Sequence, residues 1–421
     1  MAAQINPYRQ TSSQGATDTD DGPVRSSINV PGVAGFSGRG LLVTGSVGSR
    51  YEGNLTRQQP ADDGVRITPQ ARAEYGLGSE RLGLFLSGSY GRDIIRGNNI
   101  LRGRNRADVS GGADFQLARC SGQTGGSFRQ SLNLRNDATL FGSFQQRTTT
   151  IGLTGQCRLG SAISLNAAVN RVDSKSVGTV GRALDLATLT YSAGLAFNSN
   201  FLGRFSIDGT ISQTDLPGRQ VVTAGGLIDD ALTQRSLRAG VQRQIGPRIT
   251  LGLYGSYISS KPENDSPFIV VDSLAQFVDR SGFSGFGFDA TVDMKLSNRL
   301  TLDLTAGRNV NSNGFVGALT TVSNTYAISA ATRVGRYSLI VGAQSRSNRF
   351  LGGVVSEFDP VPRQSDNRQT YFARVGGRLG QRLRFDFEVN HARRKSVPTF
   401  LSFTSTGAGL TLSAVFGRGR S

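Results

Sequence analysis

An alternation of apolar and polar residues with a period of two is the feature that most constrains the fold of this 421-residue chain. Residues 299–308 read RLTLDLTAGR and residues 286–296 read FGFDATVDMKL, so every second position is apolar. Only Ser297 and Asn298 separate the two segments, which is a tight hairpin connection. Because successive side chains of a strand point to opposite faces, the pattern predicts strands with one apolar and one polar face.

The composition excludes a helical membrane protein and argues against a soluble one. No stretch of about 18 apolar residues, as a helical span requires, occurs in the chain. The apolar fraction of 37% is low for a solid core of this size, and glycine is abundant, with 55 residues. A barrel with an apolar outside and a wet inside resolves this conflict, because its strands are apolar only on alternate positions.

The same unit recurs along the chain: a strand, a short turn containing Gly and often Arg, a second strand, and a long polar loop. Seven short turns are predicted at 77–81, 159–162, 201–204, 245–248, 296–299, 334–336 and 379–382. Long loops are predicted at 93–106, 217–235, 262–281, 352–367 and 395–406. Short periplasmic turns and long outer loops are typical of bacterial outer-membrane barrels.

The fold class is therefore all-β, a single antiparallel up-and-down transmembrane barrel of about 18 strands. Sixteen strands remain an alternative, because the segment Ser127 to Arg135 alternates poorly. Pro69 lies within a strand and cannot donate a ladder hydrogen bond, so we expect a β-bulge there. The predicted strands are 41–51, 65–77, 80–91, 107–118, 127–135, 147–158, 162–173, 185–197, 202–213, 236–246, 248–260, 283–296, 299–310, 324–335, 337–349, 368–379, 382–393 and 407–417.

Two parts of the chain are predicted: the barrel at 40–421 and a flexible periplasmic segment at 1–39. A plug in the lumen is the alternative for the first part, suggested by the semi-apolar stretch Val30 to Phe36. The chain starts Met-Ala-Ala-Gln, without a basic region followed by an apolar one. We interpret it as a form without its secretion signal, because a location in the bacterial outer membrane requires export.

The formal charge of +17 comes almost wholly from arginine, since only four residues are lysines. The arginines are spread along the chain without a nucleic-acid-binding motif. We predict that they face the lumen, the periplasmic rim and lipopolysaccharide phosphates, where a guanidinium makes paired hydrogen bonds. The expected partners are outer-membrane lipid and lipopolysaccharide, with polysaccharide and periplasmic export components as further candidates, and no nucleic acid.

Few residues could support chemistry. Cys120 and Cys157 are each predicted at the periplasmic end of a descending strand, where an oxidising compartment favours a disulfide over two thiols. His391 is the only histidine, which excludes multi-histidine metal sites. Its parity predicts the lipid-facing side near the outer rim, so it is unsuited to catalysis. We expect no enzyme, metal or cofactor.

The inward-facing charged residues are the candidate site. Acids concentrate near 283–310 and arginines near 324–384. This split either sets a transverse field across a water-filled pore or forms a salt-bridged network that closes the lumen. The pore-lining candidates are Arg72, Glu74, Asp114, Asp208, Arg238, Asp289, Asp293, Asp303, Arg333, Arg374, Arg378, Arg384, Asp386 and Glu388.

Outward aromatic residues near strand ends predict interfacial girdles. The final strand, with Leu410, Leu412 and Phe416 on one face, resembles the C-terminal strand of outer-membrane barrels, although five residues follow Phe416. The predicted girdle residues are Tyr51, Tyr90, Tyr191, Phe197, Phe205, Tyr257, Tyr326, Tyr371, Phe385, Phe387 and Phe416.

Two stretches, GRGLLVTGSVGSRYEGNL from Gly38 and VRITPQARAEYGLGSERLGLFLSGSYGR from Val65, resemble a β-barrel porin family found beside exopolysaccharide-synthesis and exosortase systems. The resemblance implies export or passage of an extracellular polysaccharide or its fragments. A general diffusion porin and a non-conducting barrel that anchors a surface or secretion assembly are the alternatives.

Overall fold

The computed structural model describes residues 40–54, 63–79, 81–97, 103–136, 141–177, 185–199, 201, 203–264, 266, 268–271, 274–278, 282–312, 320–351, 354–355, 365–397 and 402–417. Their strands are β1 (Gly40–Glu52), β2 (Gly64–Gly78), β3 (Leu82–Arg92), β4 (Ile94–Arg96), β5 (Asn105–Leu117), β6 (Cys120–Asn136), β7 (Phe141–Arg158), β8 (Ile163–Val177), β9 (Leu186–Ser199), β10 (Gly203–Thr223), β11 (Gly226–Ile245), β12 (Ile249–Pro262), β13 (Phe268–Val271), β14 (Leu274–Val278), β15 (Phe283–Lys295), β16 (Leu300–Ser312), β17 (Thr320–Val334), β18 (Tyr337–Leu351), β19 (Val354–Val355), β20 (Ser365–Arg378), β21 (Leu383–Val397) and β22 (Phe403–Gly417). The predicted segment 1–39 lies outside the described residues.

Eighteen long strands form one closed antiparallel barrel, as predicted. Each long strand pairs with the next long strand along the chain, and β22 pairs with β1, so none of these eighteen strands is an edge strand. The four short strands β4, β13, β14 and β19 belong to the long-loop end of the barrel. Among the described residues there is no helix long and apolar enough to cross a membrane.

The weakest predicted strand, Ser127 to Arg135, is part of β6, which begins seven residues earlier at Cys120. The half of β6 nearer the periplasm lacks the period-two pattern, because glycine replaces apolar residues at outward positions. At Gly122 the ring of Phe115 on β5 occupies the space that a Cβ would need. The neighbouring strand therefore supplies the apolar surface there, which no local pattern can reveal.

The short turns all lie at one end of the barrel. The turns after β11 and β17 contain Gly246 and Gly335, whose φ angles of 63° and 60° favour glycine. The first barrel residue, Gly40, pairs with Gly76, so the chain enters at this same end. In bacterial barrels the end with short turns faces the periplasm.

The bulge predicted at Pro69 is wrong. The register between β1 and β2 is continuous, with Val47 opposite Pro69. On the other side, β2 pairs with β3 and then with β4 in an unchanged register, interrupted only where β3 ends at Arg92. Strand β3 therefore ends where Pro69 has no N–H to donate to it. No extra residue, and so no bulge, is needed to accommodate the proline.

The outer surface of the barrel is apolar and exposed. Side chains such as Leu86, Leu237 and Phe286 lie 55%, 58% and 75% exposed. Tyrosines Tyr90, Tyr191, Tyr257, Tyr326 and Tyr371 lie seven or eight residues above the periplasmic ends of their strands. A closed even-stranded barrel with an apolar band and an aromatic girdle has the architecture of bacterial outer-membrane proteins. The protein is an integral outer-membrane barrel.

All five predicted long loops contain strand residues, and the loops predicted at 217–235 and 262–281 contain most of them. The loop predicted at 217–235 is mostly strand, because β10 runs to Thr223 and β11 starts at Gly226. The loop predicted at 262–281 contains the β13–β14 hairpin, which pairs with β10 on one side and with β19 on the other. In the barrel order, β11, β12 and β15 to β17 stand between β10 and β18. The hairpin therefore spans a wide arc of the outer rim.

Candidate functional site: the lumen of the barrel

Strand register decides which residues face the lumen. Exposed apolar residues mark the outer face of each strand, so the residues between them face inward. On β12, for example, Leu253 and Tyr257 are outward, and Tyr254 and Ser256 are inward. The register assigns the lumen face to all predicted pore-lining candidates: Arg72, Glu74, Asp114, Asp208, Arg238, Asp289, Asp293, Asp303, Arg333, Arg374, Arg378, Arg384, Asp386 and Glu388.

A charge network crosses the inner face of β20, β21 and β1. The Nη2 of Arg374 donates a hydrogen bond to the Oε2 of Glu388 at 2.8 Å, and its Nε lies 3.0 Å from the Oδ1 of Asp386. Arg50 on β1 lies 3.8 Å from Glu388 and 2.7 Å from Glu52. Each arginine is therefore shared between two carboxylates, which fixes both side chains on the wall.

An acidic sector lies on β15 and β16. Asp293 and Asp303 are directly opposite each other in register, so two like charges share one place on the lumen wall. Asp289 lies four residues further from the periplasmic end of β15 than Asp293. It is neutralised by Arg238, whose Nη2 lies 3.2 Å from the Oδ2 of Asp289. The guanidinium of Arg238 also stacks over Tyr254, 3.9 Å from the ring centre. The net charge of this sector is negative.

Three arginines lie on one side of the periplasmic exit, on β17, β20 and β21. Arg378 on β20 is directly opposite Arg384 on β21, and Arg333 lies next to the end of β17. Arg333 and Arg378 are exposed and Arg384 is half-buried. Two arginines in direct register repel each other, so this exit carries a concentrated positive charge.

The remaining candidates are held by local partners. Arg72 forms an ion pair with Glu74 on the same face of β2. Asp208 accepts a hydrogen bond of 3.0 Å from the Nδ2 of Asn166. Asp114 lies opposite Gly83, where the absent side chain leaves room for its carboxylate.

Sequence reasoning missed a second group of inward charges near the outer mouth. Arg394 is buried and donates a hydrogen bond of 2.7 Å to Asp366. Asp366 also accepts a hydrogen bond from Asn348, which links β18, β20 and β21. Arg50 and Glu52 were missed in the same way. Parity along the predicted strands would have found Arg50. Glu52 and Arg394 lie one residue beyond predicted strands, and Asp366 lies in a predicted loop.

The outer mouth is narrowed by the ends of β16 and β17, residues 309–312 and 320–323, here called the inner hairpin. Val310 and Val322 pack against Ile258, an inward residue of β12. The Nε2 of Gln234 donates to the carbonyl of Val310 at 3.2 Å, and Ser260 and Thr320 share a hydroxyl hydrogen bond of 3.2 Å. Because Gln234, Ile258 and Ser260 all face the lumen, the inner hairpin bends towards the barrel axis.

The structure joins Cys120 and Cys157 in a disulfide near the periplasmic end, between directly opposite residues of β6 and β7. Cys120 opens an ascending strand, not the end of a descending one as predicted. His391 is exposed on the outer face, where its Nδ1 shares a hydrogen bond of 2.9 Å with the hydroxyl of Thr406. It lies away from the charged lumen.

Solved structures with the same architecture include OccK2 (OpdF) of Pseudomonas aeruginosa, at a TM-score of 0.50 and 10% identity over 90% of this chain and 98% of that chain. The outer membrane protein opdK of the same organism matches at 0.48 and 12% identity over 89% of this chain and 99% of that one. The siderophore receptor PirA from Acinetobacter baumannii matches at 0.47 and 8%, over 89% of this chain and 80% of that one. At such identities the likeness concerns the fold alone. No protein-family model and no curated protein matches the sequence.

Proposed function

We propose that the barrel is a diffusion channel through which small polar solutes cross the outer membrane. One observation supports this proposal: charged side chains on the inner wall are exposed to the lumen. The side chains of Arg72 and Asp386 remain 37% and 45% exposed. A barrel of 16–18 strands is wide enough to leave an aqueous channel between its walls.

The distribution of lumen charge supports a selective channel. Arginine dominates the wall formed by β20 to β2 and the periplasmic exit, whereas Asp293 and Asp303 dominate the sector of β15 and β16. Charges of opposite sign on different walls create a transverse field across the water between them. A dipolar or charged solute is oriented by such a field, and the narrowed mouth limits its size.

Bilayer conductance tests this proposal. Folded protein, verified by migration that changes on boiling, is inserted into a planar bilayer in concentrated KCl. We expect discrete open-channel steps that boiled protein does not give. Correctly folded protein that inserts without conducting would contradict the proposal and favour the non-conducting anchor.

Transport of a polysaccharide or its fragments stays a prediction that rests on the resemblance of the first hairpins. Its test is separate: oligosaccharides of increasing length are added to the open channel, and current blockages are counted. Blockage by charged oligosaccharides at micromolar concentration would favour this finer function. Absence of blockage, with conductance intact, would leave only the general channel.

A further inference from the structure

An apolar groove lies on the outer face of the barrel, across β15 to β20. Its volume is about 390 Å³, and small side chains such as Ala306 and Ala343 form its floor. Ile328 lines it within the apolar band, while Tyr326, Tyr371 and Gln369 line its upper part. All these residues face outward by register. The groove therefore opens to the hydrocarbon and ends at the level of the tyrosine girdle.

Basic side chains lie directly above the groove. Gln369 is opposite Arg393 in register, and Lys395 lies two residues further towards the outer end of β21. Arg349 occupies the same rim on β18, and all three side chains are exposed. Arg308 lies eight residues above the start of β16, at girdle level, next to the groove residue Ala306. Its Nε is buried and has no hydrogen-bond partner among the described residues.

The described charged side chains on the outer face around the groove are all basic. Among the described outward-facing residues of β16, β17, β18 and β20 to β22, none is Asp or Glu. The opposite side of the barrel differs, since Arg171 on β8 forms an ion pair with Asp173 at 2.9 Å on the outer face. A charged side chain near the lipid costs free energy unless an opposite charge reaches it. No described outward-facing residue of these strands supplies that opposite charge, so an anionic lipid head group could supply it.

We propose that the groove and the basic rim above it bind one phosphorylated, multiply acylated lipid of the outer leaflet, the lipid A part of lipopolysaccharide. One acyl chain fills the groove, and a phosphate lies against Arg393 and Lys395, with Arg349 beside it. The Nε of Arg308 and the hydroxyls of Tyr326 and Tyr371 are placed to donate to the polar head group. This binding is independent of what the channel transports.

The test measures lipid retention by the folded full chain in detergent, by native mass spectrometry. Bisphosphorylated lipid A is compared with its dephosphorylated form and with phosphatidylethanolamine. We expect a one-to-one complex with bisphosphorylated lipid A. The double variant Arg393→Gln/Lys395→Gln should weaken it roughly thirtyfold, because each basic side chain near an anionic lipid surface contributes roughly fivefold.

The matched control is Arg171→Gln/Lys175→Gln, which removes two positive charges from the outer face of β8. Arg171 and Lys175 lie eight and twelve residues above the start of β8, and Arg393 and Lys395 lie ten and twelve residues above the start of β21. The control variant should leave retention unchanged. Ala343→Phe places a large side chain in the groove at a lipid-facing position. It should reduce the retention of both the phosphorylated and the dephosphorylated form of lipid A. Migration that changes on boiling verifies the folding of every variant.

Three outcomes would overturn the proposal. The first is equal retention of phosphorylated and dephosphorylated lipid. The second is equal loss in the β8 control and in the Arg393/Lys395 variant. The third is a lipid-free dimer that Ala343→Phe disrupts, because the groove would then be the contact surface of a second copy of this chain.

Discussion

Arg374 on β20 and Glu388 on β21 are directly opposite each other on the lumen wall, joined by a hydrogen bond of 2.8 Å. Glu388 also lies 3.8 Å from Arg50, so one carboxylate helps to neutralise two arginines. Replacing Glu388→Gln should release positive charge into the lumen and shift selectivity towards anions. The shift in permeability ratio should reach about fivefold at most, since unit charges 4 Å apart interact by about 1 kcal/mol in water. Reversal potentials in a KCl gradient measure it.

His391→Gln is the control for this prediction, because His391 lies outside the barrel next to Thr406. Its reversal potential should equal that of the unmodified protein. An unchanged reversal potential for Glu388→Gln would mean that ions do not pass along this wall.

The acidic sector should favour cations, so neutralising it should shift selectivity in the same direction as Glu388→Gln. Asp293 and Asp303 face each other in register and repel. The variant Asp293→Asn/Asp303→Asn should therefore reduce cation permeability and also raise thermal stability slightly. Reversal potentials and the temperature of the boiling-dependent gel shift are the two measurements. A loss of stability instead would mean that contacts within the protein, such as the hydrogen bond from Ser329 to Asp303, outweigh the repulsion.

The inner hairpin should limit the conductance of the channel. Ile258→Ser removes apolar contact with Val310 and Val322 and loosens the packing of the inner hairpin against β12. We expect single-channel currents that are larger, noisier, or both. Ser256→Ala, on the same face of β12 and nearer the membrane centre, is the control. Identical current traces for the two variants would mean that the inner hairpin does not border the conducting path.

The disulfide between Cys120 and Cys157 should stabilise the barrel against thermal unfolding. The two cysteines are 37 residues apart, and in the chain-entropy model a closed loop of this size contributes about 4 kcal/mol. The variant Cys120→Ser/Cys157→Ser should lose its compact gel migration at a lower temperature. Addition of a reductant should lower that temperature for the unmodified protein and not for the variant.

Residues 1–39 are predicted to be a periplasmic segment, with a lumen plug as the alternative. Deletion of 2–39 removes this segment and leaves β1, which begins at Gly40, intact. If the segment lies in the periplasm, conductance should not change. A clear increase in conductance with normal folding would favour the plug.

Much of the barrel follows from sequence because its strands are set by local periodicity. The strand predicted at 299–310 is β16, observed at Leu300–Ser312, since each apolar residue must face lipid and each polar one the lumen. The parity of Arg374, Asp386 and Glu388 follows from the same rule. Their ion pairs do not, because they depend on which residues of β20 and β21 lie opposite each other.

Sequence by itself determined that this chain alternates, that it forms about eighteen strands, and which face a charged residue occupies within a predicted strand. Only the tertiary structure decided that the inner hairpin folds against Ile258, because this contact joins strands more than fifty residues apart. The outer groove is likewise a product of register, which aligns Ala306, Ala343 and Tyr371 from three strands. Pairing between strands is set by contacts distant in the chain, whereas alternation within a strand is a local requirement of having lipid on one face and water on the other.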